Sequence, residues 1–110
     1  MSIQAFQTQG NTVAFSVTAT IHASVKVSSV PTGSSSYMIF NAGPDTVFVD
    51  MASTSAAAVA VIPTDGTPAS GMPIPSGGLV YWVGPPDAYF SMICASTKTA
   101  TVYVTPGDGK

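Results

Sequence analysis

From Val13 to Val27 every odd position is apolar (Val13, Phe15, Val17, Ala19, Ile21, Ala23, Val25 and Val27), and of the even positions between them only Ala14 is not polar. A period of two sustained this long sends one row of side chains into a core and the other into water. A strand does this, whereas a helix, with its period of 3.6 residues, mixes the two sets. Typical strands run to about 5–6 residues, so the segment is either one long bent strand or two strands sharing register across a bulge. On this phase the odd residues face inward, and His22 faces outward.

Turn residues punctuate the rest. Tyr37–Asn41 and Thr46–Met51 flank Ala42-Gly43-Pro44-Asp45, where Gly, Pro and Asp each favour a turn for a separate backbone reason, and the two runs read as a hairpin. Ala56–Ile62 has helical alanines, but Val59, Val61 and Ile62, with Pro63 next, favour a strand. Gly78–Val83, Ala88–Ala95 and Thr99–Thr105 complete the set, with turns at Gly84-Pro85-Pro86-Asp87 and Ser96-Thr97-Lys98. Residues 1–8 form an arm or an edge strand from Ile3 to Thr8, and 106–110 form a tail. Pro63–Gly78 carries four prolines and reads as a long ordered loop resting against something, with Met72 and Ile74 its apolar members. No helical pattern appears. Seven or eight short strands with this much Gly and Pro predict one all-β domain over residues 1–110, an antiparallel two-sheet sandwich of the jelly-roll kind. An immunoglobulin-like sandwich is the competitor, but its Cys…Trp…Cys framework is absent.

Composition narrows the function classes. Of 110 residues 45% are hydrophobic and only 7% charged, against about 25% charged in an average domain. Lys26, Lys98 and Lys110 oppose five aspartates for a net charge of −2, with no Arg and no Glu. Three scattered lysines make no basic stripe, which argues against nucleic acid as a partner. No apolar run approaches the roughly 20 residues of a membrane-spanning helix. Cys94 is the single cysteine, so neither an internal disulfide nor a cysteine metal cluster forms within one chain. Met-Ser-Ile-Gln-Ala-Phe lacks a signal peptide's basic and apolar regions, which predicts synthesis in a reducing cytoplasm without the general secretory route.

Candidate chemistry is sparse. Asp45, Asp50, Asp65, Asp87 and Asp108 all lie at or beside turn signals, where a carboxylate bonds nearby amides. His22 has no Gly-x-Ser-x-Gly elbow to serve. Cys94, next to Met92, Ile93 and Ala95, reads as a small buried hydrophobe rather than a nucleophile. No Asp-x-Asp-x-Asp-Gly loop occurs. These readings predict no enzyme activity, no metal and no cofactor. Outward strand positions are mostly Ser, Thr and Ala, whereas free sheet edges are normally guarded by charge. Such neutrality suits a permanent homo-oligomer or lattice component. Tyr81, Trp82, Tyr89 and Tyr103 serve either a core, a subunit interface or a sugar-binding platform.

Ile74–Asp87 (Ile-Pro-Ser-Gly-Gly-Leu-Val-Tyr-Trp-Val-Gly-Pro-Pro-Asp), Thr99–Gly109 and the Phe40–Val49 stretch look like small bacteriophage virion proteins. In length and low charge the whole chain resembles the capsid decoration, cement or staple proteins of short-tailed double-stranded DNA phages of the epsilon-fifteen type. The resemblance implies a jelly roll on the capsid exterior of the virion, made in the host cytoplasm. Its partners would be the major capsid protein of the same particle and itself, as a homodimer or trimer. Partner contacts are then expected from the arm, at Ile3 and Phe6, from Met72 and Ile74, and from the tail. The alternative is a carbohydrate- or receptor-binding sandwich of a fibre or host-recognition structure.

Overall fold

The computed structural model describes residues 7–8, 11–27, 35–85 and 87–108. Its strands are β1 (Gln7–Thr8), β2 (Val13–Val17), β3 (His22–Lys26), β4 (Ser35–Pro44), β5 (Val47–Ala52), β6 (Met72–Ile74), β7 (Leu79–Gly84), β8 (Tyr89–Cys94) and β9 (Ala100–Asp108). One sheet has the order β1/β2-β9-β4-β7, with β1 and β2 following one another along the same edge of β9, and the other has the order β3-β8-β5-β6. All pairings are antiparallel.

The connectivity has a simple logic. β2 pairs with β9, β3 with β8, β4 with β7 and β5 with β6, so the second half of the chain runs back along the first as one long hairpin. Rolling that hairpin adds the pairs β4–β9 and β5–β8, and every link from β2 to β5 changes sheet. This is a jelly-roll sandwich, and the expected fold class holds. Phe15, Val17, Tyr37, Ile39, Val102 and Val104 of the first sheet meet Val47, Val49, Ile74, Phe90, Met92 and Cys94 of the second in the core. Tyr37 is fully buried with its hydroxyl satisfied twice. It donates to the Pro85 carbonyl at 2.6 Å and accepts from the Ala88 amide at 3.0 Å, fixing the β7–β8 turn.

Four local expectations are corrected. The alternating run is two strands in opposite sheets, with the chain crossing between them at 18–21, so Ile21 is exposed rather than in the core. A register shift between His22 and Val25 changes the phase there. His22 is consequently not an outward residue: its ring is partly buried, edge-on to Phe15 with centroids 5.2 Å apart. Tyr37–Asn41 and Thr46–Met51 are not a hairpin. The edges of β4 are taken by β7 and β9 and those of β5 by β6 and β8, so the Gly-Pro-Asp turn carries the chain between sheets. Residues 56–62 form no strand. The long loop shortens because it contains β6, which pairs with β5 through Val47↔Ile74 and Val49↔Met72.

Asn41 organises the end of the sandwich. Its amide nitrogen donates to the carbonyls of Asp45 at 2.9 Å and Ile74 at 2.8 Å, and its side-chain oxygen accepts from the Gly43 amide at 2.8 Å. Its backbone donates to Gly78 and accepts from Gly77. Gly43 adopts φ +88° and a Cβ there would strike Ser76 Oγ, so only glycine fits this close approach. Replacing Asn41 by Ala leaves two carbonyls and an amide without their partners, and we expect a loss of about 2–4 kcal/mol of stability in urea unfolding. Asn41→Asp, which turns a donor into a carboxylate facing those carbonyls, should cost at least as much.

Candidate interaction face

The residues with chemical potential are occupied by the fold. Asp45 Oδ2 accepts from the Thr99 amide at 3.0 Å, and Asp50 Oδ2 accepts from the Val59 amide at 3.0 Å. The buried Ser91 hydroxyl accepts from the Ala60 amide at 3.0 Å. His22 Nδ1 lies 2.8 Å from the Ala23 carbonyl. Among the described residues no group of three His, Cys, Asp or Glu could hold a metal ion, and no buried side-chain nitrogen or oxygen lacks a hydrogen-bond partner.

Two of those bonds belong to a strap. After β5 the chain crosses the outer face of the second sheet, with Ser55 against the Ser24 hydroxyl of β3, Val59 tied to Asp50 of β5 and Ala60 tied to Ser91 of β8. Ala58 and Ala60 face the sheet and are buried, while Val59 and Val61 point away and are exposed. The alternation that suggested a strand is therefore real, but its amides bond to side chains instead of a ladder. The strap lies so close that a Cβ on Gly71 would meet the Val61 carbonyl oxygen at 2.5 Å and Phe48 Cβ at 2.9 Å.

The first sheet's outer face has no such strap among the described residues, although its outward Ser36, Thr105 and Gly107 are buried. Cross-strand register builds one row across four strands, Ala14–Tyr103–Phe40–Leu79. Met38 pairs with both Thr105 and Tyr81 in the next row, and Ser16 with Thr101 on the other side. Leu79 is 49%, Tyr81 49%, Val83 55%, Phe40 37% and Tyr103 41% exposed. No described residue on this face of β2, β9, β4 or β7 is charged. Isolated exposed hydrophobics are ordinary, whereas a contiguous uncharged patch marks an interaction surface.

The site residues expected from the sequence fall differently. Ile74 is fully buried, and Met72 is partly buried against the core, so both serve the packing of β6 rather than presenting a loop anchor. Ile3 and Phe6 lie outside the described residues. In the tail, Pro106 and Gly107 are buried within β9, and 109–110 lie outside the described residues. Of the aromatic candidates Tyr81 and Tyr103 are exposed, while Trp82 packs against the core. The signal that could have found the face is the unbroken apolar run Leu79-Val80-Tyr81-Trp82-Val83, echoed by Tyr37-Met38-Ile39-Phe40. A strand apolar on both faces in an antiparallel sandwich must put one of them outside. No family model, curated protein or solved structure matches the chain.

Cys94 is buried in the core, and burial first, then the negative charge of Asp45, push its thiol above the ordinary range. The folded state holds this proton more tightly than the unfolded chain. Its contribution to stability is thus complete below the ordinary thiol range and is lost as pH rises through the raised value. We expect Cys94 to resist thiol reagents at neutral pH until the protein unfolds, read by labelling against denaturant concentration. Cys94→Ala should flatten the alkaline fall in stability.

Proposed function

We propose that this chain is a non-catalytic structural virion protein that binds the outer surface of an assembled phage capsid and stabilises it, working as a homo-oligomer. The observation that carries the reading is the uncharged apolar face of the β2-β9-β4-β7 sheet, which a protein kept permanently in an assembly can expose and a solitary one is selected to avoid. The strap offers a second apolar surface, Val59 and Val61, on the opposite side of the sandwich. Two such surfaces suit a protein that touches more than one neighbour. The likeness of Ile74–Asp87 and Thr99–Gly109 to phage virion proteins supports the class of partner. Stabilisation would be mass action: a ligand that binds only the assembled shell lowers its free energy at each occupied site, and many sites add.

Density-gradient fractionation of a lysate of the natural source, with this chain quantified by mass spectrometry, tests the proposal. Migration with particles at about one copy per major shell subunit is the expected result for a mass-action stabiliser. A few copies per particle would indicate a fibre or tail component, and absence from particles would overturn the capsid reading and favour a glycan-binding module using Tyr81 and Tyr103. Val59→Asp/Val61→Asp, which alters only exposed strap positions, should leave the melting temperature unchanged and weaken binding to particles by about tenfold or more.

A further inference from the structure

We infer that the strap tip at 63–68 is a cleavage site for endopeptidases, and that hydrolysis there leaves a two-chain protein with its sandwich intact. This inference stands apart from the capsid reading and rests on how the two halves of the chain interlock. Every ladder among the described residues joins a strand before the tip to a strand after it. β1 and β2 pair with β9, β3 with β8, β4 with β7 and β9, and β5 with β6 and β8. Across both sheets the halves therefore alternate, strand by strand. Neighbouring strands of one half stand about 10 Å apart, twice the roughly 4.8 Å of a ladder, and cannot bond each other. The core is shared in the same way, with Tyr37, Ile39 and Val49 of the first half in one cluster with Phe90, Met92 and Val102 of the second. Either half alone would leave its strands without the ladder partners that only the other half supplies. The covalent link at the tip adds nothing to any ladder.

The tip itself is open to a protease. Residues 63–68, Pro-Thr-Asp-Gly-Thr-Pro, are all exposed, the longest such run among the described residues. The Thr67 amide donates to the Thr64 carbonyl at 2.9 Å, closing a turn on itself. Gly66 sits at φ +72°, and a Cβ there would meet nothing within 4 Å. Exposed tips of small polar residues are where nicking concentrates. The other long exposed runs are held to the body, 53–57 by Ser55 on Ser24 and 95–99 by the Thr99 amide on Asp45. Below the tip its two stems are tied together, since Ser70 Oγ donates to the Val59 carbonyl at 2.7 Å and the Gly71 amide to the Val61 carbonyl at 2.9 Å. Ala60 ties the outgoing stem to Ser91 of β8. A cut between Thr64 and Thr67 spares all of these bonds. In that step water adds across one peptide bond: the C–N bond breaks, the carbonyl carbon gains an oxygen as a carboxylate, and the nitrogen leaves as an amine. Both new charges form in solvent, so neither carries a burial penalty.

Brief digestion of the folded full chain with subtilisin, read by intact mass spectrometry and gel filtration, tests the inference. The first internal cut is expected within 63–68, and the nicked protein should keep the elution volume and circular dichroism of the uncut chain. What changes is the order of the unfolding reaction. A short linker holds its two ends at an effective concentration of about a millimolar, so at about 10 µM the nicked form should have a folded-to-unfolded ratio roughly a hundredfold lower. Its urea midpoint should rise with protein concentration, whereas that of the uncut chain should not follow it. Separated in urea, neither fragment should regain the β-sheet spectrum alone, and mixing the two in equal amounts should restore it. A first cut elsewhere, or no cut at all, overturns the site. Halves that part on nicking without denaturant, or a fragment that folds alone, overturn the interlocked two-chain product. None of these outcomes bears on particle binding, which the gradient reads separately.

Discussion

The sandwich depends on one saturated side chain at the end where its sheets exchange strands. Asn41 closes the β4–β5 crossover on itself through Gly43 and Asp45, and ties that crossover to the β6–β7 crossover through Ile74, Gly77 and Gly78. Each crossover takes the backbone out of a ladder, where its polar groups would otherwise be buried without partners. A carboxamide suits the task because it offers two donors and an acceptor in one plane. A hydroxyl could not reach three groups, and a carboxylate would present only acceptors to two carbonyls. The bonds span sequence separations of 2, 4 and 33 residues, so this single residue couples local turn geometry to the closure of the long hairpin. Tyr37 does the corresponding work at the β7–β8 turn, joining residues about fifty positions apart through one hydroxyl.

With the sheets fixed, the two outer faces meet different fates. The second sheet is covered by its own chain, because the tip of the long hairpin, between β5 and β6, is long enough to lie back across β3, β8 and β5. Small residues let it lie flat: Ala58 and Ala60 beneath, Gly71 against Phe48. Polar side chains on that face, Ser24, Asp50 and Ser91, are there to receive it. On the first sheet the outward polar residues Ser36 and Thr105 are buried, whereas the exposed outward positions are apolar or aromatic. Leu79, Val83, Met38 and Phe40, which stand on it beside Ser36 and Tyr81, have no polar side-chain atom to bond and gain only from being dried. The asymmetry between a strapped face and one with an exposed apolar row is therefore written in residue type.

The fold class was legible because period-two alternation and turn residues survive any arrangement of strands, and the strands after Gly78 lie within a residue or so of their expected starts. Pairing was not legible. Gly43-Pro44-Asp45 makes a sharp reversal whether it joins neighbours or carries the chain to the other sheet, and only the occupancy of β4 by β7 and β9 decides. The 13–27 run misled for the same reason: alternation continues through a crossover while the inward direction changes, which exposes Ile21 and turns His22 toward Phe15. Met72 and Ile74 looked like loop anchors because β6 is three residues long with a proline at its centre. Proline is tolerated there because β6 is an edge strand with one neighbour.

The low charge follows from the same geometry. Edges elsewhere in the sandwich are guarded: β6 by brevity and Pro73, β3 by Lys26 and its register shift. The apolar face has no such guard, yet placing even one lysine among Leu79, Phe40 and Tyr103 would cost little in folding, since those positions are exposed. Its absence there is therefore not a requirement of the fold.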